Sequence, residues 1–282
     1  MIQRRGGYLA PRSDAAPKAS EQLERDGYVA RRGAFTADEV AALRDDVLRV
    51  FEQLPPDVRR DGGPPELWEE FRYEMLNRSA QCQKAVADRR ILDVVEPLLG
   101  EDCHVIANTA WRNPPRADSL HGGGFWHIDA GPHIPRPAGV AWDDRIPYPV
   151  FAVAVHILLR DCPAACGPTA VLPGSHKSGQ APPRDRLADV ELTWEGVAPV
   201  LLEARAGDLL LFVSDVWHRR MPTGAGDEGR LFLQVHYGRR DIAQRLRTTA
   251  QAHQVSEAAL ARAASPRERS LIGLHDPLFY DG

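Results

Sequence analysis

Cysteine is scarce in this chain. Four residues, Cys82, Cys103, Cys162 and Cys166, are spread through 282 positions, too few and too scattered for a disulfide framework. Cys162 and Cys166 stand close together, but no second pair completes a zinc half-site, so reduced thiols are expected. No window approaches the ~18 uninterrupted apolar residues of a membrane span. Met1-Ile-Gln-Arg-Arg is not followed by the apolar stretch of a secretory leader. Blocks of one charge are missing too. The 35 Lys and Arg are interleaved with 39 Asp and Glu, for a net charge of −4, which argues against a nucleic-acid binder. Internal repeats and long low-complexity tracts are absent. The cytoplasm is therefore the default location, and neither nucleic acid nor a membrane is indicated as a partner. These absences say nothing of oligomeric state.

What is present is ordinary material for a core: 43% hydrophobic and 26% charged residues. The expected organisation is an arm over 1–17 and a single domain over 18–282. That domain divides into a helical part over about 18–100, a β core over about 101–240 and a C-terminal extension over 241–282. Residues 18–26 read as a short helix, and Tyr28-Val-Ala-Arg-Arg as a strand. Thr36-Ala-Asp-Glu39 is a capping box, in which each side chain satisfies the other's backbone donor. Val40, Leu43, Val47, Val50, Phe51 and Leu54 follow at helical spacing. Residues 55–65 carry Pro-Pro, Gly-Gly and Pro-Pro and predict a loop. A second helix is predicted from near Asp88 to Gly100. Strands are predicted at His104–Trp111, Tyr148–Leu159, Thr169–Leu172, Val197–Leu202, Asp208–Val213 and Leu231–Tyr237. Helices first and strands later, without regular alternation, predict an α+β chain with an antiparallel sandwich or barrel.

The chemistry gathers around Gly122-Gly-Gly-Phe-Trp-His127-Ile-Asp129, Ser214-Asp-Val-Trp-His218 and Arg230. On a strand, His127 and Asp129 point to the same side, because side chains alternate with a period of two. His218 follows an apolar strand, Leu209-Leu-Leu-Phe-Val213, and a barrel makes such distant strands neighbours. Two imidazoles and one carboxylate hold non-haem Fe(II) on one face and leave the other open. A zinc hydrolase or isomerase uses similar donors, and among ten histidines a His-x-Asp step alone is weak evidence. A non-catalytic binding protein is the remaining alternative. Arg230 opens an apolar strand, and a guanidinium placed there needs an anionic partner, best a carboxylate gripped bidentately.

Four stretches together carry a family resemblance: Glu24-Arg-Asp-Gly-Tyr-Val-Ala-Arg-Arg-Gly with the capped helix after it, the His127-Ile-Asp129 motif, Cys166-Gly-Pro-Thr-Ala-Val-Leu-Pro-Gly-Ser-His-Lys177, and Gly207-Asp-Leu-Leu-Leu-Phe through His218 to Arg230. In order and spacing they resemble the phytanoyl-CoA dioxygenase family of Fe(II)- and 2-oxoglutarate-dependent oxygenases. The resemblance implies a double-stranded β-helix, the cupin-like jelly roll, flanked by N- and C-terminal helices. It implies that His127, Asp129 and His218 bind iron and that Arg230 pairs with the far carboxylate of 2-oxoglutarate. His156 is placed at the cosubstrate pocket, with Asn108 and Thr169 as further hydrogen-bonding groups. With O2 as the other cosubstrate, the implied reaction oxidises a small molecule by hydroxylation, desaturation or cyclisation, releasing succinate and CO2. Asp129 keeps the carboxylate that halogenating relatives lack. Some family members carry a hydroxyl residue two positions after the second histidine; this chain has Arg220 there, with Thr223 or Thr169 as candidate substitutes.

For the substrate, the loop from Ala130 to Pro149 is expected to form a pocket wall or lid. Trp126, His133, Arg136, Trp142 and Arg220 are the candidate contacts. A natural-product intermediate is the expected kind of substrate.

Overall fold

The computed structural model describes residues 2–5, 8–11, 18–56, 70–115, 123–129, 131–246 and 255–275. Strands β1 (Ile2–Arg5) and β2 (Tyr8–Pro11) pair antiparallel, so part of the segment expected as an arm is a hairpin. Helix α1 (Lys18–Asp26), strand β3 (Tyr28–Arg31) and helix α2 (Ala37–Gln53) follow as the sequence predicts. The Thr36 hydroxyl accepts from Glu39 N–H, and the Glu39 carboxylate accepts from Thr36 N–H at 2.8 Å, which closes the capping box. Most of the loop expected over 55–65 lies outside the described residues.

Beyond it come β4 (Phe71–Arg72), α3 (Met75–Arg78), α4 (Ala80–Val86) and α5 (Arg89–Leu99). The short helices α3 and α4 carry too few periodic positions to stand out in sequence. The β core comprises β5 (His104–Asn113), β6 (Ala152–Leu158), β7 (Thr169–Val171), β8 (Val200–Leu201), β9 (Leu209–Val213), β10 (His218–Arg220) and β11 (Arg230–Gly238). Helices α6 (Glu257–Arg262) and α7 (Pro266–Leu271) complete the described chain. Among the described residues no helix is long and apolar enough to cross a membrane.

The strands form a six-stranded sheet, β3-β9-β6-β11-β5-β4, and a smaller sheet, β10-β7-β8. Period-two alternation sorts the large sheet into two faces. Val153, Val155 and Ile157 of β6, Leu209, Leu211 and Val213 of β9, and Leu231, Leu233 and Val235 of β11 bury against the helices. Their alternates Ala154, Leu158, Leu210, Phe212 and Phe232 turn inward and meet Val171 of the small sheet. The outer face of the small sheet is covered by a third cluster built on Trp126, Leu172 and Trp217. Both faces of the large sheet are therefore covered, and the site lies between the two sheets.

Candidate metal centre and anion pocket

Backbone pairing brings the two distant motifs together. His127 and His218 form a single antiparallel bridge, with His127 N–H donating to His218 O at 2.9 Å and His218 N–H to His127 O at 3.0 Å. Asp129 N–H donates to Ser214 O at 3.1 Å. The His-x-Asp step is thus one bridge added to the edge of the small sheet, not the strand expected from sequence. The alternation still shows: Trp126 is buried in the outer cluster and Ile128 packs against it while also bordering the cavity, and His127 and Asp129 face inward.

Each imidazole is oriented by its own backbone. His127 Nδ1–H donates to Phe125 O at 2.7 Å, and His218 Nδ1–H to Val216 O at 2.9 Å. That turns both Nε2 atoms toward one point. Asp129 Oδ1 sits 3.4 Å from His218 Nε2 and 3.9 Å from His127 Nε2. The three donor atoms lie within 4.8 Å of one another, close enough to share an ion. Burial pushes the His127 ring down to about 4, reinforced by the neighbouring His218, so it is neutral and ready to donate a lone pair. At Asp129, burial works against the charge, but the His218 and His236 rings outweigh it and hold the carboxyl well below its ordinary range.

The donors open onto a cavity of about 750 Å³. The side chains of His127 and Asp129 are 39% and 23% exposed, whereas His218, Arg220 and Arg230 are buried, so His127 and Asp129 lie on the more open side of the cavity and the arginines in its buried part. Period two along β11 puts Arg230, Phe232, Gln234 and His236 on the cavity wall. Opposite them, His218 and Arg220 project from β10, and Thr169 from β7. Burial holds the Arg230 guanidinium below its ordinary range. Its Nε donates to Asn113 Oδ1 at 3.1 Å and its Nη1 to Gly167 O at 3.1 Å. His156 is buried between the Phe212 and Phe232 rings, and its Nε2 has no partner among the described residues. Burial, then the nearby Arg230 charge, keeps that ring neutral.

Of the residues singled out in sequence, His127, Asp129, His156, Thr169, His218, Arg220 and Arg230 come together in this cavity. Asn108 does not. It pairs with Val235, whose side chain faces the helices, and the alternation sends Asn108 to that side; its Nδ2 donates to Gln234 O at 2.9 Å. Thr109 and Trp111, on the other phase of the same strand, line the cavity instead.

The expected substrate contacts also move. Trp126 is buried in the outer cluster and donates to Asp189 O. His133 is held by Asp215, through its backbone N–H at 3.0 Å and through Nδ1, and stacks on Phe151. Arg136 lies over Trp142, whose indole N–H donates to Ile146 O at 2.7 Å. No described residue of 131–149 lines the cavity, so this loop is pinned beside the site and does not wall it. Ile242 and Arg245, after β11, take up that position on the wall.

His236 escaped the sequence reading. Its Nε2 lies 2.9 Å from Asp129 Oδ2. The signal that finds it is the spacing Arg230-x-Phe-x-Gln-x-His236, four residues on one face of one strand.

Comparison with known proteins agrees with this geometry. The family model for phytanoyl-CoA dioxygenase matches residues 23–222. An ectoine dioxygenase from Sphingopyxis alaskensis is 27% identical over 217 residues, covering 69% of this chain and 66% of that protein. An ectoine dioxygenase from Bordetella parapertussis is 28% identical over 163 residues, covering 56% of this chain and 48% of that protein. The chain thus spans between about half and two thirds of these curated relatives. Among solved structures, apo EctD from S. alaskensis superimposes with a TM-score of 0.62 at 22% identity, covering 90% of this chain and 89% of that one. The non-heme alpha-ketoglutarate-dependent epimerase SnoN from nogalamycin biosynthesis gives 0.60 at 19% identity, covering 85% and 92%. HygX from Streptomyces hygroscopicus, solved with nickel and 2-oxoglutarate bound, gives 0.58 at 17% identity, covering 79% and 88%. These likenesses establish the double-stranded β-helix fold, and with the family model matching most of its length, the chain belongs to the phytanoyl-CoA dioxygenase family.

Proposed function

We propose that this protein is a non-haem Fe(II)- and 2-oxoglutarate-dependent dioxygenase acting on a small molecule. One observation carries the reading: two inward Nε2 atoms and one carboxylate oxygen converge on the wall of a cavity that also holds a buried arginine. The donor set fits the metal, because its three groups cluster on one side and leave the cavity side for other ligands. The buried part fits the cosubstrate, because Arg230 and the unpartnered His156 Nε2 offer hydrogen-bonding groups there. Relatives point the same way: EctD has been solved with 2-oxoglutarate and 5-hydroxyectoine, and SnoN with Fe3+, alpha ketoglutarate and a nogalamycin compound.

When bound, iron with 2-oxoglutarate and O2 supplies the oxidising power, yielding succinate, CO2 and a hydroxylated, desaturated or ring-closed product. The protein's own groups do the rest. His127 and His218 hold their tautomers through Phe125 O and Val216 O, which fixes the donor directions before any ligand arrives. Arg230 fixes the far carboxylate, with Thr169 beside it on the wall. Phe212, Phe232 and Trp111 keep water from the middle of the cavity. The substrate enters from the open side, past Asp129. Its class is a small metabolite or natural-product intermediate. Four buried free thiols suit a reducing, cytoplasmic setting.

The test is metal analysis combined with a succinate-release screen. Iron-dependent succinate formation from 2-oxoglutarate, abolished in His127→Ala and Asp129→Ala, is expected. Tightly held zinc with no succinate formed under any metal would overturn the reading in favour of a hydrolytic or isomerising site. Arg230→Ala is expected to retain metal and lose most 2-oxoglutarate affinity.

A further inference from the structure

The buried part of the cavity holds two guanidinium groups. Arg220 is 4% exposed and Arg230 7%. They arrive from opposite sheets, Arg220 on β10 and Arg230 at the start of β11, and converge on one carbonyl. Gly167 O accepts from Arg230 Nη1 at 3.1 Å and from Arg220 Nε at 3.3 Å. Their remaining hydrogen bonds also go to neutral oxygens: Arg230 Nε to Asn113 Oδ1 at 3.1 Å and Arg220 Nη2 to Cys166 O at 3.3 Å. Arg220 Nη1 is buried with no partner among the described residues.

Two cations in so small a buried volume repel one another, and burial removes the water that would screen them. Part of the positive charge is balanced one step away, where Asn113 Nδ2 donates to buried Glu70 at 2.7 Å while Asn113 Oδ1 receives Arg230. Among the described residues Arg220 has no such relay. An arrangement of this kind costs stability when empty and is relieved by an anion. A carboxylate suits it, because its two oxygens offer about four acceptor positions and can receive both forks.

We propose that Arg220 is a second cosubstrate-binding residue, so that the far carboxylate of the 2-oxo acid is gripped by two guanidinium groups, from Arg220 and Arg230. The proposal rests on the oxygenase reading above. It gives a role to the arginine standing where family members carry a hydroxyl residue. Selectivity follows: a 2-oxo acid without the far carboxylate leaves two buried charges unmet, where a single-arginine pocket would leave one.

Calorimetric titration of the Mn(II)-loaded protein without oxygen tests it, comparing 2-oxoglutarate with 2-oxopentanoate, which has the same chain length but no far carboxylate. Arg220→Met is expected to weaken 2-oxoglutarate by roughly ten- to hundredfold, the loss of a hydrogen bond to a charged group, and to leave 2-oxopentanoate unchanged or improved. Arg220→Lys is expected to fall between. Without ligand, Arg220→Met is expected to melt no lower than wild type, because a buried unpaired charge has been removed. Equal weakening of both acids, a clear drop in melting temperature, or unchanged 2-oxoglutarate binding would each overturn the proposal. If wild type binds Mn(II) but not 2-oxoglutarate, the oxygenase reading itself fails, an outcome separate from any behaviour of the variants.

Discussion

His236 Nε2 lies 2.9 Å from Asp129 Oδ2, while Oδ1 of the same carboxylate faces His218 Nε2 at 3.4 Å. The two oxygens therefore have different tasks. Oδ1 shares the focus of the three donors, and Oδ2 is turned away from it and held by a hydrogen bond from the ring on β11. A carboxylate restrained at one oxygen presents the other in a single orientation. Removing that restraint is expected to lower metal affinity by about 10- to 100-fold in His236→Ala, with His236→Gln recovering much of it because the amide still donates. Competition against a fluorescent chelator measures this; equal affinity in wild type and His236→Ala would show that Asp129 is positioned by other means.

Asp215 sits in the turn that leads to His218 and is 3% exposed. It accepts from His133 N–H at 3.0 Å, from the His133 ring and from Tyr148 O–H at 3.1 Å, tying the 131–149 loop to the strand bearing the second histidine. Asp215→Ala strands these donors. The expected cost is roughly 1–3 kcal/mol for each buried donor left unpaired, read by urea unfolding of metal-free protein. Tyr148→Phe removes a single bond and is expected to cost about 1 kcal/mol. A loss for Asp215→Ala no greater than that for Tyr148→Phe would contradict this role.

Gly167 holds φ +64°, and a Cβ there would meet Met221 O at 2.5 Å and Arg220 Nε at 3.2 Å. Its carbonyl is the common acceptor for Arg220 and Arg230. Gly167→Ala is therefore expected to shift both guanidinium groups. The prediction is a lower melting temperature together with weaker 2-oxoglutarate binding, while metal affinity stays near wild type. Loss of metal binding as the first defect would place the strain elsewhere.

Glu39 joins two helix starts. Its carboxylate caps α2 and takes two hydrogen bonds from Arg90 at 2.9 Å each. The Arg90 guanidinium first, then Thr36 N–H, lowers its carboxyl from 4.5 to about 2. A depressed folded-state value means that the native protein prefers the carboxylate, so the contribution is complete above about pH 4.5 and disappears as pH falls toward about 2. The stability gap between wild type and Glu39→Gln, measured by denaturant at a series of pH values, is expected to close across that window. Because the pair is exposed, the gap itself is about 1 kcal/mol or less. A gap independent of pH would mean that the capping geometry, not the charge, accounts for it.

Much of this molecule is local enough to read from its residues. The Thr36–Glu39 box, the helix from Asp88 and the long strands are set by hydrogen bonds and alternations only a few residues long, and the structure reproduces them within a few positions. His127, Asp129, His218 and Arg230 could be singled out because their residue types and order suggest the proposed chemistry, and the structure brings all four to one cavity. Period two also contained His236, as the sixth residue after Arg230, although nothing in the sequence marked which face mattered.

Which face each residue takes was decided by pairing between distant strands. Asn108 and Thr109 are adjacent and both polar, yet register against Val235 and Gln234 sends one toward the helices and the other into the cavity. Trp126 and His127 divide in the same way across the edge of the small sheet. The loop after Asp129 has the length and prolines of a cavity wall, but Asp215 draws it aside. Arg220 meets Arg230 only because β10 and β11 belong to opposite sheets that close on the same turn. The sequence determined the donors and the local elements, because both depend on residue identity and neighbours a few positions away. Tertiary structure decided the wall of the pocket, the restraint on Asp129 and the meeting of the two arginines, because these depend on strand register across long stretches of chain.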